Sequence, residues 1–246
     1  MYLCKIFGFV LILLSIVFLG LQYNALEIEA SGVKSLALIL LTVLYIIRVK
    51  NKHILFLMFL VVFTIAEILN YMTWVRNLEI DPNFDYFYYI GNGLYILSYV
   101  FLISRILGVM NVPKVISRFP FQTLLLLILS VFVVYLVTET TRQELGSQEY
   151  ALELSYNAII MLLVSISLLN YMTKDDKKSM NLLIGSICVV FSEILQLAYF
   201  YVANFNFLNV LCSLFLVFAF IFYYLQSEMN YREIKEYNMI PTDLKA

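Results

Sequence analysis

The feature that most constrains this chain is the recurrence of long, almost unbroken apolar runs, each close to the length that crosses a bilayer. A helix of about twenty residues spans roughly 30 Å at 1.5 Å per residue. Eight such runs can be placed, over Ile6–Gln22, Ser35–Ile47, Ile54–Trp74, Tyr86–Leu107, Phe121–Thr138, Ala151–Tyr171, Asn181–Val202 and Phe207–Gln226. The second is short and is expected to begin nearer Gly32, with Lys34 snorkelling at its end. A transmembrane barrel would instead show weak alternation over segments of about ten residues. Continuous runs imply helices, which satisfy their backbone hydrogen bonds within each segment. The expected fold is all-α: a polytopic integral membrane protein of eight transmembrane helices. It forms one domain over residues 1–246 with a short cytoplasmic tail over 228–246. The expected location is a bacterial inner (plasma) membrane.

Composition agrees. The chain is 63% hydrophobic and 13% charged, whereas a soluble domain is roughly half apolar and a quarter charged. Sixteen Lys+Arg stand against seventeen Asp+Glu, for a net charge of -1. That leaves no basic surplus for nucleic acid. Cys4, Cys188 and Cys212 form no spaced framework and read as free thiols. His53 is the single histidine, so no multi-histidine metal site exists. HExxH, GxSxG, P-loop and GxGxxG motifs are absent. Neither a metal nor an organic cofactor is expected.

The loop charges test the span count. With the N-terminus inside, the inner segments carry Lys5; Arg48, Lys50 and Lys52; Arg105, Lys114 and Arg118; Lys174, Lys177 and Lys178; and Arg232, Lys235 and Lys245. The outer segments carry only Lys34, Arg76 and Arg142, together with Glu27, Glu29, Glu79, Asp81, Asp85, Glu139, Glu144 and Glu149. Every loop fits an N-in, C-in topology. Met1–Asn24 also has the lysine, apolar core and polar end of a signal peptide. It lacks a convincing small-x-small cleavage site, and its loss would break the even count, so it is read as a helix.

An internal repeat is visible. Phe63-Thr64-Ile65-Ala66-Glu67-Ile68-Leu69-Asn70 matches Val189-Val190-Phe191-Ser192-Glu193-Ile194-Leu195-Gln196 at an offset of 126 residues. The same offset carries Arg48 onto Lys174 and Lys52 onto Lys178. Four helices separate the copies, which implies a parallel four-plus-four duplication with halves near 1–108 and 109–230.

Glu67 and Glu193 lie inside apolar segments, where an ionisable group is expensive and by default functional. Each sits fifteen residues beyond a basic residue, Lys52 or Lys178. That is about 22 Å along a helix, in the outer half of the core. Each has a carboxamide at i+3, Asn70 or Gln196, on the same face. Lys34 enters from the outside and can reach toward either acid. Asn92, Tyr95 and Tyr99 share a face of the fourth segment, and Glu153, Tyr156 and Asn157 cluster near the outer end of the sixth. Together they point to a polar pocket facing the outer half of the membrane. The competing reading is that the buried acids only fix helix packing through hydrogen bonds. Trp74, Tyr71 and Tyr86–Tyr89 read as an interface belt. His53 reads as an interface residue, and Lys174–Lys178 as a solvated turn.

These residues, in this order, resemble the YhhN family of membrane proteins, which includes the lysoplasmalogenases. That family has eight helices. It is marked by Lys-Pro at the start of the second, small-Gly-Asp in the third, a Gly-rich fourth with a His, and Ser-Asp in the seventh. Here Lys34-Ser35, Ala66-Glu67, Gly91-Asn92-Gly93-Leu94-Tyr95 and Ser192-Glu193 stand at those places, and Tyr99 falls where the His is expected. The resemblance covers the second to eighth segments. It implies cleavage of the vinyl ether of a lysolipid to an aldehyde and a glycerophospho-alcohol. Glu67 and Glu193 would be the catalytic pair, and Lys34 would bind phosphate or tune a Glu. Asn70, Asn92, Tyr95, Tyr99, Tyr156 and Gln196 would orient the substrate. The implied partner is a membrane lipid or lysolipid. A proton-coupled transporter and a non-catalytic lipid-binding protein are the alternatives from other classes.

The charge alternation makes a direct prediction. In a cysteine-free background, Arg142→Cys should react with an impermeant maleimide in intact cells. Lys50→Cys should react only after permeabilisation. The reverse pattern would overturn the orientation.

Overall fold

The computed structural model describes residues 2–76 and 86–229; the side chains of residues 2–4 and 76 are outside the description. Glu79, Asp81 and Asp85, the tail over 230–246 with Arg232, Lys235 and Lys245, and the Cys4 side chain therefore lie outside the described residues. The described helices are α1 Tyr2–Tyr23, α2 Glu27–Arg48, α3 Ile54–Arg76, α4 Tyr86–Leu107, α5 Val112–Arg118, α6 Pro120–Glu139, α7 Ser147–Lys174, α8 Lys177–Leu197 and α9 Asn206–Glu228. Eight of these, all but α5, are long and apolar enough to cross a membrane. No strand occurs among the described residues. The chain is a multi-pass helical membrane protein.

The helix ends follow local chemistry, and several differ from expectation. The second helix is not short. It begins at Glu27, because Ala25 takes a positive φ of 56° and turns the chain directly out of α1. The α5 helix was not expected. Asn111 caps it by accepting from the Lys114 backbone N–H at 3.2 Å, with a proline in its first turn. Asp175, at φ 46°, closes α7, and Asp176 caps α8 through the Ser179 N–H at 2.7 Å. The seventh span does not run as α-helix to Val202: a π-helical turn over Ala198–Val202 completes it. Lys174–Lys178 is also not a fully solvated turn, since Lys174 and Lys178 are only partly exposed.

In hydrocarbon, apolar side chains gain little from meeting each other, so polar pairs and close approaches fix the helices. Thr42 and Thr64 join α2 to α3 at 3.3 Å, Ser130 and Ser165 join α6 to α7 at 2.9 Å, and Ser167 and Ser186 join α7 to α8 at 2.9 Å. The Ser192 hydroxyl donates to the Cys212 carbonyl at 3.0 Å, between α8 and α9. Cys188 and Cys212 are free thiols, as expected. The packed pairs α1–α2, α2–α3, α3–α4, α4–α7, α7–α8, α8–α9 and α9–α1 close a ring, with α6 against the outside of α7. Aromatic rings fill the middle of this ring. Phe59, Phe63, Tyr99, Phe220 and Tyr223 come from α3, α4 and α9, with centroids 4.8–6.3 Å apart. Edge-to-face contacts of this kind add to burial.

Gly185 makes the α8–α9 approach possible. A Cβ there would lie 2.7 Å from the Tyr223 ring and 3.2 Å from the Ala219 carbonyl, whereas one on Gly8 would meet nothing within 4 Å. Gly185→Ala should therefore cost about 1–3 kcal/mol through overpacking and lower the thermal midpoint in detergent. Gly8→Ala should leave it unchanged. Equal shifts would contradict the close-approach account.

Candidate functional site

The site grows from two helices that each carry one acid into the same space. On α3, Glu67 is 2% exposed. Its Oε2 lies 2.7 Å from Lys34 Nζ on α2. The backbone reinforces that junction, because the Ser35 hydroxyl donates to the Glu67 carbonyl at 3.1 Å. On α8, Glu193 is partly exposed. The Tyr99 hydroxyl of α4 donates to its Oε1 at 3.4 Å. Tyr95 lies against Glu67 and Tyr156 against Glu193. The two acids thus differ in company: Glu67 faces an ammonium group at 2.7 Å as well as a phenol, whereas Glu193 is set among phenols.

Both acids line a cavity of about 550 Å³ at the end of the bundle where α1 stops and α2 begins. Lys34, Asn70, Asn92, Tyr95, Tyr156 and Gln196 line it as well. Tyr99 is fully buried and does not line it, but meets the lining residues Glu193, Tyr156 and Phe63. Of the residues expected to be catalytic or to orient the substrate, all but Tyr99 line this one cavity, although not all are aimed alike. The Asn92 amide donates to the Tyr88 carbonyl of its own helix at 2.9 Å. Asn70 Oδ1 accepts from the Trp74 indole at 3.3 Å.

Several lining residues were not anticipated. Gln22 of α1 accepts from the Asn209 amide of α9 at 3.0 Å, and both face the cavity. Asn209 also donates to Glu27 Oε1 at 3.3 Å, and the Tyr199 hydroxyl donates to the same oxygen at 2.6 Å. These contacts join residues 172 to 187 positions apart, so no local spacing announces them. Trp74 and Tyr88, expected as belt residues, line the cavity too. The buried Glu153 was noticed as a polar neighbour. It also lines the cavity, held by the Asn157 amide at 3.1 Å. Asn157 reaches Thr138 on α6 at 3.1 Å as well.

A second cavity of about 390 Å³ runs between α1, α2 and α9. Its walls are almost wholly apolar, from Leu11 and Ile12 to Leu41 and Val217. On α2 it extends from Lys34 to Arg48, about 21 Å along the helix. Phe18, Lys34 and Leu216 line both cavities. A chamber with two carboxylates thus shares a wall, at Phe18, Lys34 and Leu216, with an apolar groove longer than half the ~30 Å hydrocarbon core. Among the described residues, no group of three or more His, Cys, Asp or Glu is arranged to hold a metal ion.

The Lys34–Glu67 pair invites a double-mutant cycle. Lys34→Met removes the partner of a buried carboxylate. It should cost about 3 kcal/mol, the low end for such a loss, because the lysine side chain keeps 20% exposure. Adding Glu67→Gln should restore most of that stability, read as the thermal midpoint. Strictly additive losses would contradict the pairing. No family model, no curated protein and no solved structure matches this chain.

Proposed function

We propose that this chain is a membrane-embedded hydrolase of the lysoplasmalogenase type, YhhN-like, acting on a single-chain lipid with a vinyl ether. One observation carries the reading: the chamber holding both acids lies beside a long apolar groove, with Phe18, Lys34 and Leu216 in the walls of both. A lysolipid has the matching shape, with a polar head for the chamber and one alkyl chain for the groove. Ligand sites of this kind combine mostly apolar walls with a few convergent polar groups.

The chemistry needs a proton donor and a carboxylate. Protonation of the terminal vinyl carbon, next to the alkyl chain, gives an oxocarbenium ion at the carbon bonded to oxygen. Water adds to that carbon and loses a proton. The resulting hemiacetal collapses to an aldehyde and a glycerophospho-alcohol. Two carboxyl groups in unequal surroundings can divide these tasks, as in glycoside hydrolysis. Glu193, open to the chamber and set among phenols, is the proposed proton donor. Glu67, held against Lys34, is the proposed carboxylate that stabilises the cation and takes the proton from water. Lys34 then orients and charges Glu67. This takes up one of the two roles expected for it and leaves the phosphate to other groups. Asn70, Asn92, Tyr95, Tyr156 and Gln196 are the proposed head-group contacts, and Tyr99 positions Glu193 from beneath.

A lipid-binding protein without turnover is the second reading. It is favoured by the close ion pair, which occupies Glu67. A proton-coupled transporter is disfavoured by the aromatic layer across the middle of the ring.

Purified protein given lysoplasmalogen, with an ester lysophospholipid as control, should release aldehyde only from the vinyl ether. Glu67→Gln and Glu193→Gln should each lower the rate by about 10²-fold or more. Tyr99→Phe should lower it less. If the wild type releases no aldehyde but still binds lysolipid, the lipid-binding reading replaces the hydrolase.

A further inference from the structure

The chamber holds one acid that the chemistry above does not use. Glu153, in the second turn of α7, is 6% exposed and lines the cavity. Its Oε1 accepts from the Asn157 amide at 3.1 Å. Its Oε2 has no hydrogen bond or ion pair among the described residues. The cavity wall thus carries three carboxylates, on Glu67, Glu153 and Glu193, against one ammonium group among the described residues. That ammonium belongs to Lys34 and is paired with Glu67 at 2.7 Å. A proton on Glu193, which the hydrolytic scheme requires, neutralises the second acid. Glu153 is left as a carboxylate without a cation, in surroundings that screen it poorly.

The surroundings of Glu153 are aromatic. It acts electrostatically on Tyr88 of α4 and on Tyr201 in the π turn after α8. Both tyrosines line the cavity, as do Trp74, Phe87 and Phe200. A primary ammonium ion brings three N–H donors and needs an acceptor for each. Beside a wall of rings, Glu153 Oε2 offers one. An ammonium ion whose hydrogens are replaced by methyl groups needs no acceptors, and ring faces attract it directly. The approach is acidic as well: Glu149 acts on both tyrosines and Glu144 on Tyr201, while Arg142 is paired with Glu139 at 2.9 Å. A mouth of one sign gathers ions of the other.

We propose that the wall of the chamber around Glu153 binds a quaternary ammonium ion, with Glu153 as its counter-charge and Tyr88 and Tyr201 among the rings that face it. Such an ion can arrive as the head of a lipid or as a free amine. The lipid source rests on the lysolipid reading above, and for that source the site adds a choice of head group. A zwitterionic head leaves the charge of the chamber unchanged, whereas an anionic head adds to three acids already there.

The test uses the full chain in a maltoside detergent, which brings no ammonium group of its own. Trp74 is the one tryptophan of the chain and lines the cavity, so its fluorescence reads occupancy. Ester lysolipids that differ only in their phosphocholine, phosphoethanolamine or phosphoglycerol heads are titrated, beside choline alone. The wild type should bind lysophosphatidylcholine about tenfold more tightly than lysophosphatidylglycerol. Glu153→Gln should lower the first affinity about tenfold and leave the second unchanged. Tyr201→Leu should lower the first about threefold, as for the loss of one ring face. Saturation by choline alone shows that a free amine suffices, and a response to lysophosphatidylcholine alone assigns the ion to a lipid head. Binding of ester lipids is read without turnover, so a chain that fails to cleave a vinyl ether but keeps these ratios loses the hydrolase reading and retains the site. Equal affinity for the choline and glycerol heads, equal affinity for the choline and ethanolamine heads, or an unchanged ratio in Glu153→Gln overturns it. Should Glu153→Gln fail to fold, Tyr201→Leu decides, and an unchanged affinity there overturns the site.

Discussion

A carboxylate inside hydrocarbon needs a partner supplied by the protein, because no water is there to solvate it. The Lys34–Glu67 contact at 2.7 Å is the answer in this chain, and much of the surrounding architecture follows from it. It requires α2 to lie against α3 at that depth, which Ser35 and Thr42 secure with their own hydrogen bonds. It leaves the second acid, Glu193, to be accommodated by phenols from α4 and α7. Tyr99 in turn belongs to the aromatic layer that closes the ring from within. The chamber is thus the space left where a charged pair, a hydroxyl-lined acid and a stacked aromatic floor meet.

The long apolar runs made the eight spans legible, because a run of that length has few alternatives. The ends were less legible. Ala25 adopts left-handed backbone without glycine, so no residue type marked that turn, whereas the charged run around Asp175 did mark its own. The π turn at Ala198–Val202 arises in an ordinary aromatic stretch. The short α5 was overlooked because seven residues leave no periodicity to read, although Asn111 and the proline after Val112 were the available signal.

The candidate site was legible for a different reason. A polar residue in an apolar run has few places to go, so Glu67, Glu193 and their helix-face neighbours could be gathered without coordinates. Gln22 and Asn209 escaped notice because each looked like an ordinary residue near a helix end, and only the closure of α9 onto α1 brings them together. The apolar groove was invisible for the opposite reason. Its walls are leucine and isoleucine, residues that line lipid and ligand alike, and no sequence pattern separates the two.

The aromatic layer formed by Phe59, Phe63, Tyr99, Phe220 and Tyr223 also acts as an electrical insulator. With rings packed between α3, α4 and α9, it puts a low-dielectric floor under the chamber. Glu67 and Glu193 both stand on one side of it, in the chamber at the end where α1 stops and α2 begins. Whatever reaches the two acids must therefore come from that end of the bundle or from the side of the apolar groove that shares the Lys34 wall.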